Sequence, residues 1–328
     1  MYTKDIYIDM RLADMKTVSI NYILHNRPYI SSFKKEIANI SSKVKSNLTI
    51  NLLVSNLNRD WKADKEDLEK CGIKTNVFLV EGGNYMLKIL TGIDSYSEYS
   101  IKLDEDIFLS TAVWDFFLDN IDILENETNL FLSPILNNGI PSVDLFIDQF
   151  CNIEEKQILN KIFLRTSLPS IWGADYSKLE NHTTKAHHWS SENFYNEVSK
   201  INHYYKGVHP VRFSADAQNY ILDVILKRFD KLLNCSGMSF FYDKKPYFCN
   251  SVFGIKTETW HKIVNDKSLF KDEFEEVPLN LYREENNLSM VFINNGFGVH
   301  PSYNTINVFG TDYKELSDRF FSHEYFKN

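Results

Sequence analysis

Cysteine is scarce in this chain, with four in 328 residues at Cys71, Cys151, Cys235 and Cys249 and no C-x-x-C spacing. That speaks against a disulfide framework or a zinc knuckle and suits a reducing compartment. No run of 18 apolar residues occurs, so no membrane-spanning helix is expected. The N-terminus, Met1-Tyr2-Thr3-Lys4-Asp5, lacks the basic, apolar and small-residue order of a signal peptide, and a cytoplasmic protein is expected. Internal repeats and low-complexity linkers are missing too, which favours one continuous domain over 1–328. A positive balance is also lacking: 36 Lys and Arg stand against 44 Asp and Glu, a net charge of −8. A general basic face for nucleic acid is thereby disfavoured, although a local basic groove is not.

What is present is ordinary for a soluble globular protein: 43% apolar and 24% charged residues. Aromatics reach 14%, which suits a binding cleft and equally suits a large core. The first third alternates strand-like and helix-like segments. Val18 to Leu24, Leu48 to Val54, Thr75 to Val80 and Tyr99 to Leu103 read as strands. Tyr29 to Ile40, with Ile30, Phe33, Ile37 and Ile40 at helical spacing, reads as a helix. Asp60 to Lys70 and Tyr85 to Ile93 read likewise. Strands alternating with helices predict a parallel, doubly wound sheet, with ligands outside the carboxyl ends of its strands.

From Pro141 to Leu233 the pattern is helical, over Val143 to Phe150, Glu154 to Leu164 and Ala215 to Leu233. This region also holds His182, His187, His188, His203 and His209, at spacings that match no common zinc pattern. It is expected to be a helical insertion or lid, 141–233. Strand character returns at Met238 to Phe241, Tyr247 to Ile255, Ser289 to Phe292 and Phe297 to His300.

The segment Leu103-Asp104-Glu105-Asp106 places two carboxylates at i and i+2 where an apolar strand stops. Hard oxygen ligands at a sheet edge are what magnesium or manganese seeks when it also holds a diphosphate. Val18-Ser19-Ile20-Asn21-Tyr22-Ile23-Leu24-His25-Asn26-Arg27-Pro28 adds a strand with an Asn-Arg turn. Gly83-Asn84 leads into a helix bearing Lys88, and Cys249-Asn250-Ser251-Val252-Phe253-Gly254-Ile255 forms a later strand. Phe274-Glu275-Glu276-Val277-Pro278 opens a helix, and Val299-His300-Pro301 follows.

In that order, these motifs resemble a glycosyltransferase of the GT-A fold, family 2-like, over about 1–120 and 235–310. The resemblance implies an α/β fold: a Rossmann-like mixed sheet flanked by helices, with the helical segment inserted. It implies a metal-dependent enzyme using Mn2+ or Mg2+. The sugar would pass from a nucleotide-diphosphate sugar, a UDP-sugar first, to an acceptor hydroxyl. Asp106 would be the first metal ligand, Asp104 a ligand through water or the ribose, and His300 a third. His25, Asn26, Arg27, Asn56, Lys88, Asp104, Glu105 and Asn250 would contact the nucleotide sugar, Asn56 standing where the family often has an Asp. Glu105 would point away from the metal if strand alternation persists. Glu276 would be the general base of an inverting transfer, with Glu275 beside it and Asp175 of Trp172-Gly173-Ala174-Asp175 as runner-up.

Plainer readings stand beside these. Acids at a helix N-terminus complement its dipole, a His before Pro is often a loop imidazole, and Lys88 or Arg27 can be ordinary surface cations. The resemblance implies an acceptor that would be a glycan or a modified DNA base of the kind phage enzymes glycosylate, in a bacterial cell or in a phage's host. A nucleotidyltransferase of similar sheet is the alternative, though His25-Asn26-Arg27-Pro28 is not its Gly-rich basic loop. A non-catalytic sugar-binding relative is the other.

Overall fold

The computed structural model of the protein describes residues 16–24, 29–45, 47–54, 60–79, 97–139, 141–165, 170–171, 174–175, 211, 214–244, 251–266, 268–269, 276–301 and 313–327.

The largely apolar run Val18–Leu24 forms strand β1, followed by helix α1 (Ile30–Asn39) and a short turn of helix α2 (Ser42–Lys45). Strand β2 (Leu48–Val54), helix α3 (Trp61–Lys70) and strand β3 (Lys74–Leu79) come next. Helix α3 ends because Gly72 takes φ +80, while the Cys71 and Gly72 N–H groups bond back to Leu68 and Glu69. Strand β4 is Tyr99–Asp104, β5 is Phe108–Leu109, α4 is Thr111–Asp119 and β6 is Asn129–Leu136. Two helices follow, α5 (Ser142–Phe150) and α6 (Ile153–Arg165), then a separate ribbon of β7 (Ser170–Ile171) and β8 (Ala174–Asp175). The chain continues through α7 (Ala215–Lys227), α8 (Phe229–Leu233), β9 (Ser239–Asp243), β10 (Val252–Lys256) and α9 (Thr257–Asn265). Helix α10 (Glu276–Glu285), strand β11 (Ser289–Val299) and helix α11 (Tyr313–Phe321) complete it.

The main sheet runs β3-β2-β1-β4-β10-β6-β11-β5, with β9 beside β11. Strands β1 to β4 are parallel, as alternation with helices predicts. The sheet as a whole is mixed, because β10 pairs antiparallel with both β4 and β6. This is the α/β architecture with a mixed, helix-flanked sheet that the GT-A resemblance implies. The purely parallel sheet predicted from alternation alone does not extend past β4. Among the described residues no helix is long and apolar enough to cross a membrane.

Each face of the sheet carries a core. On one face Ile20, Tyr22, Ile50, Leu52, Ile101 and Leu103 meet Phe33 and Ile37 of α1, Leu68 of α3, and Trp114 and Phe117 of α4. On the other, Phe131, Phe253 and Phe292 meet Phe146 and Phe150 of α5, Ile221 and Ile225 of α7, and Trp260 of α9. Full burial of each such side chain stabilises by about 1.5–3 kcal/mol relative to leaving it exposed. The described helices of 141–233 thus share a core with sheet strands. Cys71, Cys151 and Cys235 are free thiols; Cys249 lies outside the described residues.

The parallel half has one unusual face. Its side chains there form cross-strand rows, and one row reads Asn76, Asn51, Asn21, Lys102 across four strands. Asn21, Asn51 and Lys102 are buried. Asn51 Nδ2 donates to Asn21 Oδ1 at 2.8 Å, and Asn76 Nδ2 to Asn51 Oδ1 at 3.0 Å. A buried carboxamide without such a partner would cost about 1–3 kcal/mol.

Candidate active site

The strand directions bring the candidate residues together. Strands β4, β6 and β11 point the same way, and antiparallel β10 starts where they end. So the Asp104-Glu105-Asp106 turn, Asn137 and Asn138, Ser251, and His300 all arrive at one carboxyl edge, as the ligand rule for α/β sheets requires. The backbone ties them: the Asp104 N–H donates to the Ser251 carbonyl at 3.2 Å.

Asp106 is buried, with 4% of its surface exposed. Its Oδ2 stands 3.1 Å from Nε2 of His300, a residue 194 positions along the chain. His300 is itself tightly held. Its backbone N–H donates to Asn137 Oδ1 at 2.7 Å, and its Nδ1 lies 2.8 Å from Asn138 Nδ2 and 3.3 Å from Ser251 Oγ.

Asp104 behaves differently from Asp106. Its Oδ1 is 2.8 Å from the Nζ of Lys102, which lies one strand repeat below it on the same face and is buried. A lysine in a sheet interior needs such a partner, because desolvation of the ammonium is otherwise costly. Strand β4 ends at Asp104, so Glu105 and Asp106 lie in the turn, and strand alternation does not fix where Glu105 faces. Glu105 is buried, and its carbonyl accepts the Tyr22 hydroxyl at 3.0 Å.

Asp106 and His300 suit a divalent cation. An octahedral ion with ligands ~2.1 Å away has neighbouring ligands ~3.0 Å apart. The 3.1 Å between Asp106 Oδ2 and His300 Nε2 is a hydrogen-bond distance, and it also brings the two atoms as near as two ligands of one ion would stand. Among the described residues no three His, Cys, Asp or Glu side chains converge as a ready cage. A two-residue site completed by phosphate and water is the common arrangement for Mg2+ and similar ions.

The structure places the other expected residues as follows. Glu276 is the first residue of α10, a helix that buries Leu279 in the core. Asp175 lies in the small β7–β8 ribbon, paired with Ser170. His25, Asn26, Arg27, Asn56, Lys88, Asn250 and Glu275 lie outside the described residues, as do the Tyr85 to Ile93 segment and His182, His187, His188, His203 and His209. Lys102, Asn137, Asn138 and Ser251 were not anticipated as site residues. Asn137-Asn138-Gly139 was readable as a turn after an apolar run. Gly139 does take φ +85 there, a conformation glycine adopts without the strain a Cβ adds.

No family model matches the chain, and no curated protein matches it significantly. Among solved structures it is similar to a mannosyltransferase from Pyrobaculum calidifontis in complex with GDP-Man and Mn2+. That likeness has 15% identity, covers 37% of this chain and 35% of the other, and has a TM-score of 0.29. It is similar to GalNAc-T7, solved with UDP, GalNAc and Mn2+, at 12% identity over 94% of this chain and 50% of that one, TM-score 0.45. A third is a 4-diphosphocytidyl-2C-methyl-D-erythritol synthase from Anaerococcus prevotii, at 11% identity over 97% and 99%, TM-score 0.42. The chain spans about a third of the length of the first and half of the second. Glycosyltransferases are thus among the structures this chain resembles, while its fold is read from its own strand order.

Proposed function

We propose that the protein is a metal-dependent glycosyltransferase that moves a sugar from a nucleotide-diphosphate sugar to an acceptor hydroxyl. The observation that carries this reading is the Asp106–His300 pair. A buried carboxylate and an imidazole 194 residues apart in the sequence meet at 3.1 Å at the carboxyl end of the sheet. Asp106 and His300 would hold Mn2+ or Mg2+. Such an ion neutralises the leaving diphosphate as the glycosidic bond breaks.

The remaining roles belong to the chain. Lys102 balances the charge of Asp104, and Asp106 is the proposed carboxylate ligand of the cation. Asp104 itself faces the ribose or a water on the cation. His25, Asn26, Arg27, Asn56, Lys88, Glu105 and Asn250 are the proposed contacts to a UDP-sugar or related donor. Glu276, with Glu275 before it, takes the acceptor proton; Asp175 is the second choice. A carboxylate suits that step when partial burial or a neighbouring acid raises its proton affinity. The acceptor is a glycan or a modified DNA base, and the site of action is the cytoplasm.

The test is incubation with a panel of nucleotide sugars and Mn2+, scored by donor hydrolysis and thermal shift. At least one donor should respond, and Asp106→Asn should abolish the metal-dependent part. Glu276→Gln should keep donor binding and lose transfer; retained transfer moves the base to Asp175. Silence toward every donor with metal present sinks the enzyme reading.

A further inference from the structure

Asn138, at the end of β6, is held from both sides of its carboxamide. The Gly139 N–H donates to its Oδ1 at 2.7 Å. That identifies the oxygen, so the atom 2.8 Å from His300 Nδ1 is the NH2 nitrogen. An amide NH2 only donates. His300 Nδ1 must then offer its lone pair, and the ring proton of the neutral imidazole sits on Nε2. From there it points at Asp106 Oδ2, 3.1 Å away.

We infer that Asn138 is a positioning residue that holds His300 in the Nε2–H tautomer, and that taking up a divalent cation requires exchange to the Nδ1–H tautomer with Ser251 as the new acceptor. Nε2 cannot be a ligand while it carries a proton. Freeing it needs an acceptor at Nδ1, and the Ser251 hydroxyl oxygen, 3.3 Å off, can accept as well as donate. The proton balance closes. One proton leaves Nε2, one is taken up at Nδ1, and the ring is neutral throughout. Asp106 exchanges a hydrogen bond for the cation, and the Asn138 NH2 gives up Nδ1. Asn137 holds the His300 backbone N–H at 2.7 Å in both states. Groups behind a ligating histidine commonly set its tautomer and change metal affinity ten- to a hundredfold. The resting tautomer stands on hydrogen bonds alone; the exchange rests on the proposed metal role of Asp106 and His300.

The experiment is 15N NMR of the metal-free protein with labelled histidine. The chain has nine histidines, and the His300 signals are identified by their loss in His300→Gln. Nδ1 should resonate as a lone-pair nitrogen and Nε2 as an N–H. Asn138→Asp, which puts an acceptor where the donor was while Asp106 still faces Nε2, should bring a proton to Nδ1, so that its lone-pair signal is lost. A protonated Nδ1 in the unmodified protein overturns the proposal, and this measurement holds even if the variant fails to fold. Ser251→Ala should keep the resting pattern and weaken Mn2+ binding about tenfold, read as free Mn2+ by EPR. Unchanged affinity overturns the exchange step. A correct resting tautomer with no response to any nucleotide sugar would leave the role of Asn138 standing and remove the glycosyltransferase reading alone.

Discussion

Replacing Gly298 by alanine tests the link between packing and the site. Gly298 lies in β11 between Leu109 of β5 and Leu136 of β6, its cross-strand partners on either side. A Cβ placed there would overlap Leu109 Cδ2 and stand 2.7 Å from Leu136 Cδ2 and 3.1 Å from the Phe108 carbonyl oxygen. Leucine ends can normally swing aside. These two are 2% and 0% exposed in a packed core, and the carbonyl belongs to the β5 backbone, so the leucine ends must repack and β5 must give by a few tenths of an ångström. Overpacking of this kind costs about 1–3 kcal/mol. The displacement also reaches the chemistry, since β5 begins two residues after Asp106 and β11 ends one residue before His300. Gly298→Ala should therefore lower the urea midpoint at unchanged slope and weaken Mn2+ binding with it. Leu109→Ala alone should cost about 2–5 kcal/mol, but it vacates the space the new methyl needs. The double variant should then cost clearly less than the sum of the singles. A Gly298→Ala protein within ~0.5 kcal/mol of the parent refutes the argument, and so does strict additivity with Leu109→Ala.

Two further outcomes follow from one buried and one exposed carboxylate. Glu36, buried on α1, accepts the Thr111 N–H at 2.7 Å and the Thr111 hydroxyl at 2.8 Å at the start of α4, and also the Tyr325 hydroxyl. Glu36→Ala should lower stability by about 2–4 kcal/mol in urea unfolding, with Glu36→Gln in between; an alanine variant as stable as the parent contradicts it. The Tyr99 hydroxyl, and then the Lys256 ammonium, hold the Glu125 carboxyl below its ordinary value of 4.5. A depressed carboxyl contributes stability above its unfolded-state value and loses it as pH falls through the folded one. Glu125→Gln should thus be less stable than the parent at neutral pH, the gap closing in acid below about pH 4. Urea midpoints across that range check this, and a gap that widens in acid has the sign wrong.

The parallel half of the fold was legible in the sequence, and the reason is local. Val18–Leu24 and Leu48–Val54 are largely apolar runs bounded by polar stops, and the strands have those bounds. Asn129–Leu136 was not assigned in the sequence, and it carries Pro134, a residue that argues against a central strand. The sheet accommodates it: β11 pairs Ile293 with Pro134, then Phe297 with Ile135, so the register irregularity falls beside the residue lacking an N–H. The same irregularity explains why β11 was read as two strands. Asn294-Asn295-Gly296 has turn composition, and Asn295 takes φ +58, yet pairing resumes beyond it. At the site, Asp104, Asp106 and His300 were legible because carboxylates and an imidazole carry recognisable chemistry. Lys102, Asn137, Asn138 and Ser251 were not, because their importance comes from strands that meet only in the folded sheet.

The asparagine row under the parallel strands bears on where Asp106 ends up. Sliding one parallel strand past its neighbour by two residues would keep every apolar side chain on its own face, so hydrophobic burial alone discriminates weakly against it. Such a slide would break Asn76 from Asn51, or Asn51 from Asn21, at about 1–3 kcal/mol for each carboxamide left unpaired. It would also carry the far end of the strand about 7 Å from its mark, at ~3.3 Å per residue. The row acts as a set of dowels driven through the sheet, aligning β2 and β3 to β1, the strand against which β4 pairs on its other side.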